Sequence, residues 1–163
     1  MTIRIESSNQ RDGTSDFDFQ RGEWQVRHRV TRSSQDAWIE FGGTCRNRRL
    51  IDGSANVEEH TFVQSAGVTH GIALRAYDSK AGTWAIWWVD SRNPTTLDPP
   101  VAGGFENGVG TFIGPDVNRG QPVLCRYRWY DITANTATWD QALSPDNGAT
   151  WETNWVMHFT RAT

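Results

Sequence analysis

Two histidines and two glutamates offer the side chains that acid–base chemistry requires: His28, Glu40, Glu58 and His60. An imidazole exchanges protons close to neutral pH, and a neighbouring carboxylate can hold it in one tautomer. Such a pair can catalyse isomerisation, cyclisation or lyase chemistry without a cofactor. A hydrogen-bonded, inert core histidine is the competing interpretation, so these four residues are candidates for catalysis and no more.

A second group of side chains suits the binding of a small apolar or aromatic molecule. The chain contains 9 Trp, 7 Phe and 3 Tyr. Aromatic rings make flat apolar walls, and a few polar groups beside them orient a ligand. The predicted ligand-binding residues are Trp38, Trp88, Asp90, Arg92, Trp129, Trp139, Asn154 and His158. For Asp90 and Arg92, an ion pair at the base of a loop is the simpler interpretation.

Other chemistry has little support in the sequence. The chain has no Gly-x-Ser-x-Gly, phosphate-binding loop, Cys-x-x-Cys or dinucleotide motif. Neighbouring residues of a strand point to opposite faces, so within residues 58–60 only Glu58 and His60 could share a metal, and no typical ligand spacing supports one. His158 lies where some small ten-stranded barrels bind haem, but most of their signature is absent. We therefore predict no metal and no cofactor.

Charge and composition limit the partners and the location. The net charge of −3 gives no basic footprint for nucleic acid or for an anionic membrane. Cys45 and Cys125 are too few for a disulfide framework and are expected to be buried free thiols. Residues 1–15 are polar and do not form a secretory signal, and no apolar run is long enough to span a membrane. We expect one cytoplasmic domain over residues 1–163, with a flexible N-terminus at 1–15.

The elements that must position these side chains are β-strands. Apolar and polar residues alternate with period 2 along most of the chain, which predicts nine or ten strands. The predicted strands are 23–31, 37–45, 46–51, 56–64, 69–77, 83–90, 109–114, 122–132, 136–143 and 151–161. Only residues 14–21 could form a helical turn. The pattern indicates an all-β protein with a single antiparallel up-and-down barrel.

The alternation of faces along each strand predicts which side chains point into this barrel. His28 shares a face with Trp24, and Glu40 shares one with Trp38. Glu58 and His60 share a face with Phe62, and either face of strand 56–64 could point inward. The last strand allows two choices: either Asn154 and His158 point inward, or the more apolar set does, namely Trp155, Met157 and Phe159. Residues 90–108 form the longest predicted connection, which is either a lid at the mouth or a cover over an open barrel edge.

The ends of the barrel carry a resemblance. Gly22-x-Trp24 in the first strand and Arg161 in the last resemble the pair with which lipocalin-type barrels seal their closed end, the guanidinium stacking on the indole. Segments spread over residues 16–161 are similar to an uncharacterised bacterial family with a lipocalin-like (calycin) barrel, a domain of unknown function. The resemblance implies the fold. It brings no activity, cofactor or catalytic residue.

Three functions follow from these observations. The leading hypothesis is the binding of a small apolar or aromatic molecule in the barrel, which requires an open cavity. The alternative is a cofactor-independent acid–base enzyme, which requires an imidazole and a carboxylate within hydrogen-bond reach in that cavity. The third is an interaction module whose interior is filled by indoles, with a homodimer as one arrangement.

Overall fold

The computed structural model describes residues 11–163 and contains ten antiparallel strands that close into one barrel. Each strand pairs with its neighbours in sequence, and β1 also pairs with β10. The strands are β1 (Gly22–Val30), β2 (Ile39–Leu50), β3 (Ala55–Gln64), β4 (Gly67–Asp78), β5 (Thr83–Asp90), β6 (Val101–Glu106), β7 (Val109–Asn118), β8 (Gln121–Tyr130), β9 (Thr136–Ser144) and β10 (Glu152–Arg161). Short 3₁₀ helices lie at Asp18–Gln20 and Ile51–Gly53. The predicted up-and-down barrel is confirmed.

Two strands differ from the prediction. Residues 46–51 are not a separate strand, because β2 runs on through them to Leu50. The strand that completes the barrel is β6, which lies within the predicted loop 90–108 and reduces that loop to residues 91–100. Glycine hides β6 in the sequence: a Cβ at Gly103 would collide with the carbonyl oxygen of Thr111 on β7, so close strand approach requires a residue without a side chain.

The closed end is sealed as the resemblance implies. Trp24 is buried and donates its Nε1–H to the carbonyl oxygen of Gln20 at 2.8 Å. The guanidinium of Arg161 lies 4.0 Å from the centroid of the Trp24 ring. It also donates to three backbone carbonyl oxygens, those of Phe19, Arg21 and Ala134. This prediction is confirmed in detail.

The residues before the first strand plug the same end. Phe17 is buried between Trp84 and Phe105, with both ring centroids 5.1 Å away. Trp84 donates its Nε1–H to the carbonyl oxygen of Gly13 at 3.0 Å. Part of the predicted flexible segment, residues 1–10, lies outside the described residues. Within residues 11–163, no helix is long and apolar enough to cross a membrane.

The opposite end forms the mouth of the barrel. Five connections meet there, at residues 31–38, 65–66, 91–100, 119–120 and 145–151. The longest begins at an ion pair, in which Arg92 donates to both carboxylate oxygens of Asp90 at 2.8 and 2.7 Å. The interior between this rim and the closed end holds the candidate site.

Candidate functional site

The interior of the barrel has two chemically different walls. Strand alternation turns every second side chain inward, and a group of buried polar side chains comes from the first four strands. We call this the polar wall: His28, Asn47, Asn56, Glu58, His60 and Arg75, all buried. Strands β5 and β8–β10 contribute the aromatic wall: Trp88, Tyr127, Trp129, Trp139 and Trp155.

A cavity of about 40 Å³ separates the two walls. Glu58, His60 and Arg75 line it on the polar side, and the whole aromatic wall lines it on the other. Pockets that bind drug-sized molecules have volumes of roughly 300–1,000 Å³, so this cavity is much smaller than a typical ligand site. Aromatic rings fill most of the remaining interior, so the open cavity that the binding hypothesis requires is absent from this arrangement of the described residues, and a ring-sized ligand requires one of the rings to move.

A buried ion pair occupies the centre of the polar wall. Arg75 and Glu58 are each 2% exposed and their charged groups are in contact. Arg75 also donates to Asn56 Oδ1 at 2.9 Å and to Gln20 Oε1 at 2.5 Å. Burial lowers the pKa of Arg75 to about 9, which still leaves the guanidinium charged at neutral pH. The carboxylate of Glu58 therefore has its counter-charge beside it.

His60 makes the contact that an acid–base pair requires. Its Nε2 lies 2.5 Å from Glu58 Oε1. Burial lowers the pKa of His60 to about 3. A neutral imidazole facing a carboxylate places its hydrogen on Nε2. His60 Nδ1 is then a free acceptor, and it has no hydrogen-bond partner among the described residues.

His28 lies beside this pair and is also neutral. Its Nδ1 accepts a hydrogen bond from Trp155 Nε1 at 3.2 Å, so Nε2 carries the hydrogen. Burial, assisted by His60, lowers the pKa of His28 to about 3. The centroids of the two imidazole rings are 6.2 Å apart, too far for a direct hydrogen bond. His28 packs instead on Phe41, with ring centroids 4.6 Å apart.

The structure brings together only part of the predicted catalytic set. His28, Glu58 and His60 point inward, but the expectation that Glu40 does so is wrong. Glu40 lies on the outer face, where it pairs with Arg29 at 3.2 Å. The register of β1 with β2 explains this, because it sets Phe41, and not Glu40, opposite the inward-facing His28.

The predicted ligand-binding residues divide in the same way. Trp88, Trp129 and Trp139 line the cavity. Trp38 precedes β2 and is 38% exposed, next to Arg29, so its inward placement is wrong. Asp90 and Arg92 pair with each other at the mouth and do not line the cavity.

The last strand adopts the more apolar of its two possible orientations. Trp155, Met157 and Phe159 point inward, and His158 points outward and is exposed. Its position therefore gives no support to haem binding inside the barrel. Asn154 lies at a β-bulge between Thr153 and Trp155 and accepts a hydrogen bond from Gln141 at 3.0 Å.

The side-chain amides of Gln141 and Asn154 lie between the central cavity and a second pocket. Gln141 lines the central cavity, and Asn154 lines a pocket of about 210 Å³ at the mouth. Arg32, Arg119 and Glu152 are among the other residues that line this outer pocket. The Gln141–Asn154 hydrogen bond thus joins the wall of the cavity to the wall of the outer pocket.

Several interior residues were absent from the predicted set. They are Cys45, Arg75, Tyr127, Gln141 and Trp155. For Arg75 a signal existed: the small residues Gly71 and Ala73 share its face of β4, and a Cβ at Gly71 would collide with Trp88. Small residues at alternate positions indicate an inward face that packs against a large ring. Arg75 lies on the same face as Gly71 and Ala73 and is therefore also expected to point inward.

The comparisons with known proteins bear on the fold. No protein-family model matches the sequence, and the search of curated proteins finds no match either. Among solved structures, the chain is similar to the S-type phycobiliprotein lyase CPES from Guillardia theta, with a TM-score of 0.55 and 10% sequence identity over 99% of this chain and 99% of that chain. At this identity the likeness shows the fold alone, a lipocalin-like barrel.

Proposed function

We propose that the barrel binds a small, flat, largely apolar molecule between its two walls. The cavity that carries this proposal is bounded by indoles on one side and by the His60–Glu58–Arg75 group on the other. His60 Nδ1 and Trp129 Nε1, which both belong to residues that line it, have no hydrogen-bond partner among the described residues. Buried polar groups without partners are rare, and a ligand with one polar edge would satisfy them.

The mouth is the route that the arrangement favours for such a ligand. Trp155 is only half-buried and follows the bulge at Asn154, so its strand is the least regular part of the wall. Rotation of this indole and release of the Gln141–Asn154 hydrogen bond would join the cavity to the outer pocket. Residues 91–100 would then act as a lid. The neighbour named as a phycobiliprotein lyase shares this barrel fold, so the fold is one in which a small-molecule function is known.

Native mass spectrometry of protein purified from its own host tests the binding function. We expect a bound mass that is lost on denaturation, and the mass of the complex also shows whether the chain is a monomer or a homodimer. The fluorescent probe N-phenyl-1-naphthylamine provides a second measurement, through energy transfer from tryptophan. The cytoplasmic location and the bacterial family remain predictions from the sequence.

A cavity-filling variant locates the binding site. Ala73 lines the cavity, and Ala73→Leu would occupy most of its volume. Ala102 on β6 is exposed, so Ala102→Leu makes the same change outside the barrel. We expect Ala73→Leu to abolish binding and Ala102→Leu to preserve it. Equal binding by both variants would place the ligand elsewhere.

The contact between His60 and Glu58 favours a second candidate, a cofactor-independent acid–base enzyme. Glu58 would hold the Nε2 hydrogen, and His60 Nδ1 would take a proton from the bound molecule and return it. Glu40, on the outer face, has no part in this scheme.

Solvent exchange separates the enzyme from the binder. In D₂O, an enzyme of this type incorporates deuterium into its ligand, and His60→Gln would stop the exchange while the ligand still binds. A wild-type protein that retains its ligand through prolonged incubation without exchange would be a binder only.

A further inference from the structure

Three side chains of the metal-ligating types meet in the polar wall. One ligand atom each from Cys45, Glu58 and His60 lies within 4.8 Å of the others, and all three residues are buried. Cys45 on β2 is the direct cross-strand partner of His60 on β3, and Glu58 precedes His60 by two residues on the same face. The register of two neighbouring strands thus creates a cluster that spacing along the chain does not reveal.

Two members of the cluster are available to a soft cation. The thiol of Cys45 is free, and it binds a metal ion by giving up its proton. His60 offers a ring nitrogen to the same cluster. A thiolate with an imidazole is the donor pair that thiophilic metals prefer.

The neighbouring charges determine which cation the cluster can hold. The carboxylate of Glu58 is already balanced by Arg75, so that pair is neutral as a unit. Deprotonated Cys45 would add one negative charge, which one monovalent cation balances. A divalent ion would leave a net positive charge buried beside the Arg75 guanidinium, and uncompensated buried charge is costly. Charge balance and the thiolate together select the d¹⁰ monovalent class to which Cu(I) belongs.

We infer that Cys45 and His60 bind one thiophilic monovalent cation of the Cu(I) type inside the barrel. Binding replaces the thiol hydrogen: the S–H bond breaks, a sulfur–metal bond forms, and the proton leaves to solvent without any change of oxidation state. Glu58 stays paired with Arg75 and keeps the guanidinium charge from opposing the ion. This site does not depend on the proposed organic ligand.

Silver(I) is the first probe, because it belongs to the same class and is not oxidised in air. Native mass spectrometry of the full chain should show one Ag(I) bound with loss of one proton. Cys125 provides the matched control, since it is the other buried free thiol and belongs to no such cluster among the described residues. We expect Cys125→Ser to bind like the wild type. Cys45→Ser should lose at least about 100-fold in affinity, since even partners outside the metal's ligand set are worth 10–100-fold.

Two results of this titration would overturn the assignment. One is an ion that Cys125→Ser loses and Cys45→Ser keeps. The other is displacement of Ag(I) by equimolar Zn(II), which would contradict the charge argument.

X-ray absorption on the wild-type protein loaded anaerobically with Cu(I) needs no variant and so does not depend on a variant folding. The expected ligand set is one sulfur together with imidazole nitrogen. A spectrum without sulfur, or a wild-type chain that takes up no Ag(I) or Cu(I), contradicts the proposal.

Discussion

Different kinds of interaction stabilise the two walls of the barrel interior. The polar wall comes from strands β1–β4 and is held by specific partners: Arg75 donates to Gln20 and Asn56 and pairs with Glu58. The aromatic wall comes from β5 and β8–β10 and is held by packing, with the ring of Trp155 edge-on to those of Trp88 and Trp139. The first half of the chain therefore provides charge and proton-bearing groups, and the second half provides shape.

This difference predicts how each wall responds to substitution. A buried charge that loses its partner keeps its full desolvation cost, whereas a truncated ring loses contacts in proportion to the volume removed. Neighbouring substitutions should therefore compensate each other in the polar wall and accumulate in the aromatic wall.

Breaking the central ion pair should have the largest effect. Arg75→Met leaves the Glu58 carboxylate buried and unpaired, which costs about 3–5 kcal/mol of unfolding free energy. The double variant Glu58→Leu/Arg75→Met removes both charges and should recover much of that loss. Urea denaturation of the two variants and of the wild type measures this. A double variant less stable than Arg75→Met would contradict the pairing argument.

Truncating a ring of the aromatic wall should lower the unfolding free energy somewhat less than breaking the ion pair does. A second truncation should not restore the lost stability. Trp139→Leu removes a buried indole that packs against Tyr127 and Trp155 and should destabilise the protein by about 2–4 kcal/mol. Adding Trp155→Leu should enlarge the loss. Denaturation curves for the single and double variants test this, and a stabilising second substitution would show that the rings are overpacked.

Of the two walls, acidification should destabilise the polar wall and leave the aromatic wall unaffected. The pKa of His28 is about 3 in the folded protein and about 6.5 in the unfolded chain, so the unfolded state binds more protons between these values. Stability is then highest above pH 6.5 and falls as the pH drops toward 3. His28 alone should contribute a loss of about 2 kcal/mol by pH 5, at 1.36 kcal/mol per pH unit.

Denaturation at pH 7 and pH 5 separates this effect from general acid unfolding. His28→Gln should reduce the difference between the two pH values by that amount, and His60 should account for part of what remains. His158 is exposed on the outer face, so His158→Gln is the control and should leave the difference unchanged. If His28→Gln and His158→Gln changed the stability difference between pH 7 and pH 5 equally, His28 would not be a buried neutral group in the folded protein.

The sequence predicts best where a resemblance or a single strand decides the outcome. Trp24 and Arg161 fulfil the roles that the resemblance to lipocalin-type barrels implies, since the guanidinium stacks on the indole. The inward face of β1 and the burial of His28 also follow from alternation, whereas alternation left both faces of β3 possible and the structure turns Glu58 and His60 inward.

Alternation predicts the wrong face where the sequence does not reveal the boundary of a strand or its register with the neighbouring strand. Trp38 lies before β2 begins, so its position does not show which face of β2 Glu40 occupies. The register of β2 with β1 places Glu40 on the outer face. Gly103 and Gly104 break the pattern of β6. The proximity of Cys45 to His60 depends wholly on pairing between β2 and β3, which no single-strand pattern contains.

The smallest effect is expected at the one predicted catalytic residue that lies outside the barrel. Glu40 pairs with Arg29 at 3.2 Å and approaches Arg27 at 3.6 Å, and all three side chains are exposed. Exposed pairs contribute little, so Glu40→Gln should change stability by less than about 0.5 kcal/mol. It should leave probe binding and any deuterium exchange unaltered, whereas Glu58→Gln removes the carboxylate that holds His60. If Glu40→Gln impaired either activity as strongly as Glu58→Gln, the functional site would lie on the outer face of β1 and β2, and the two-wall interior would be a structural core only.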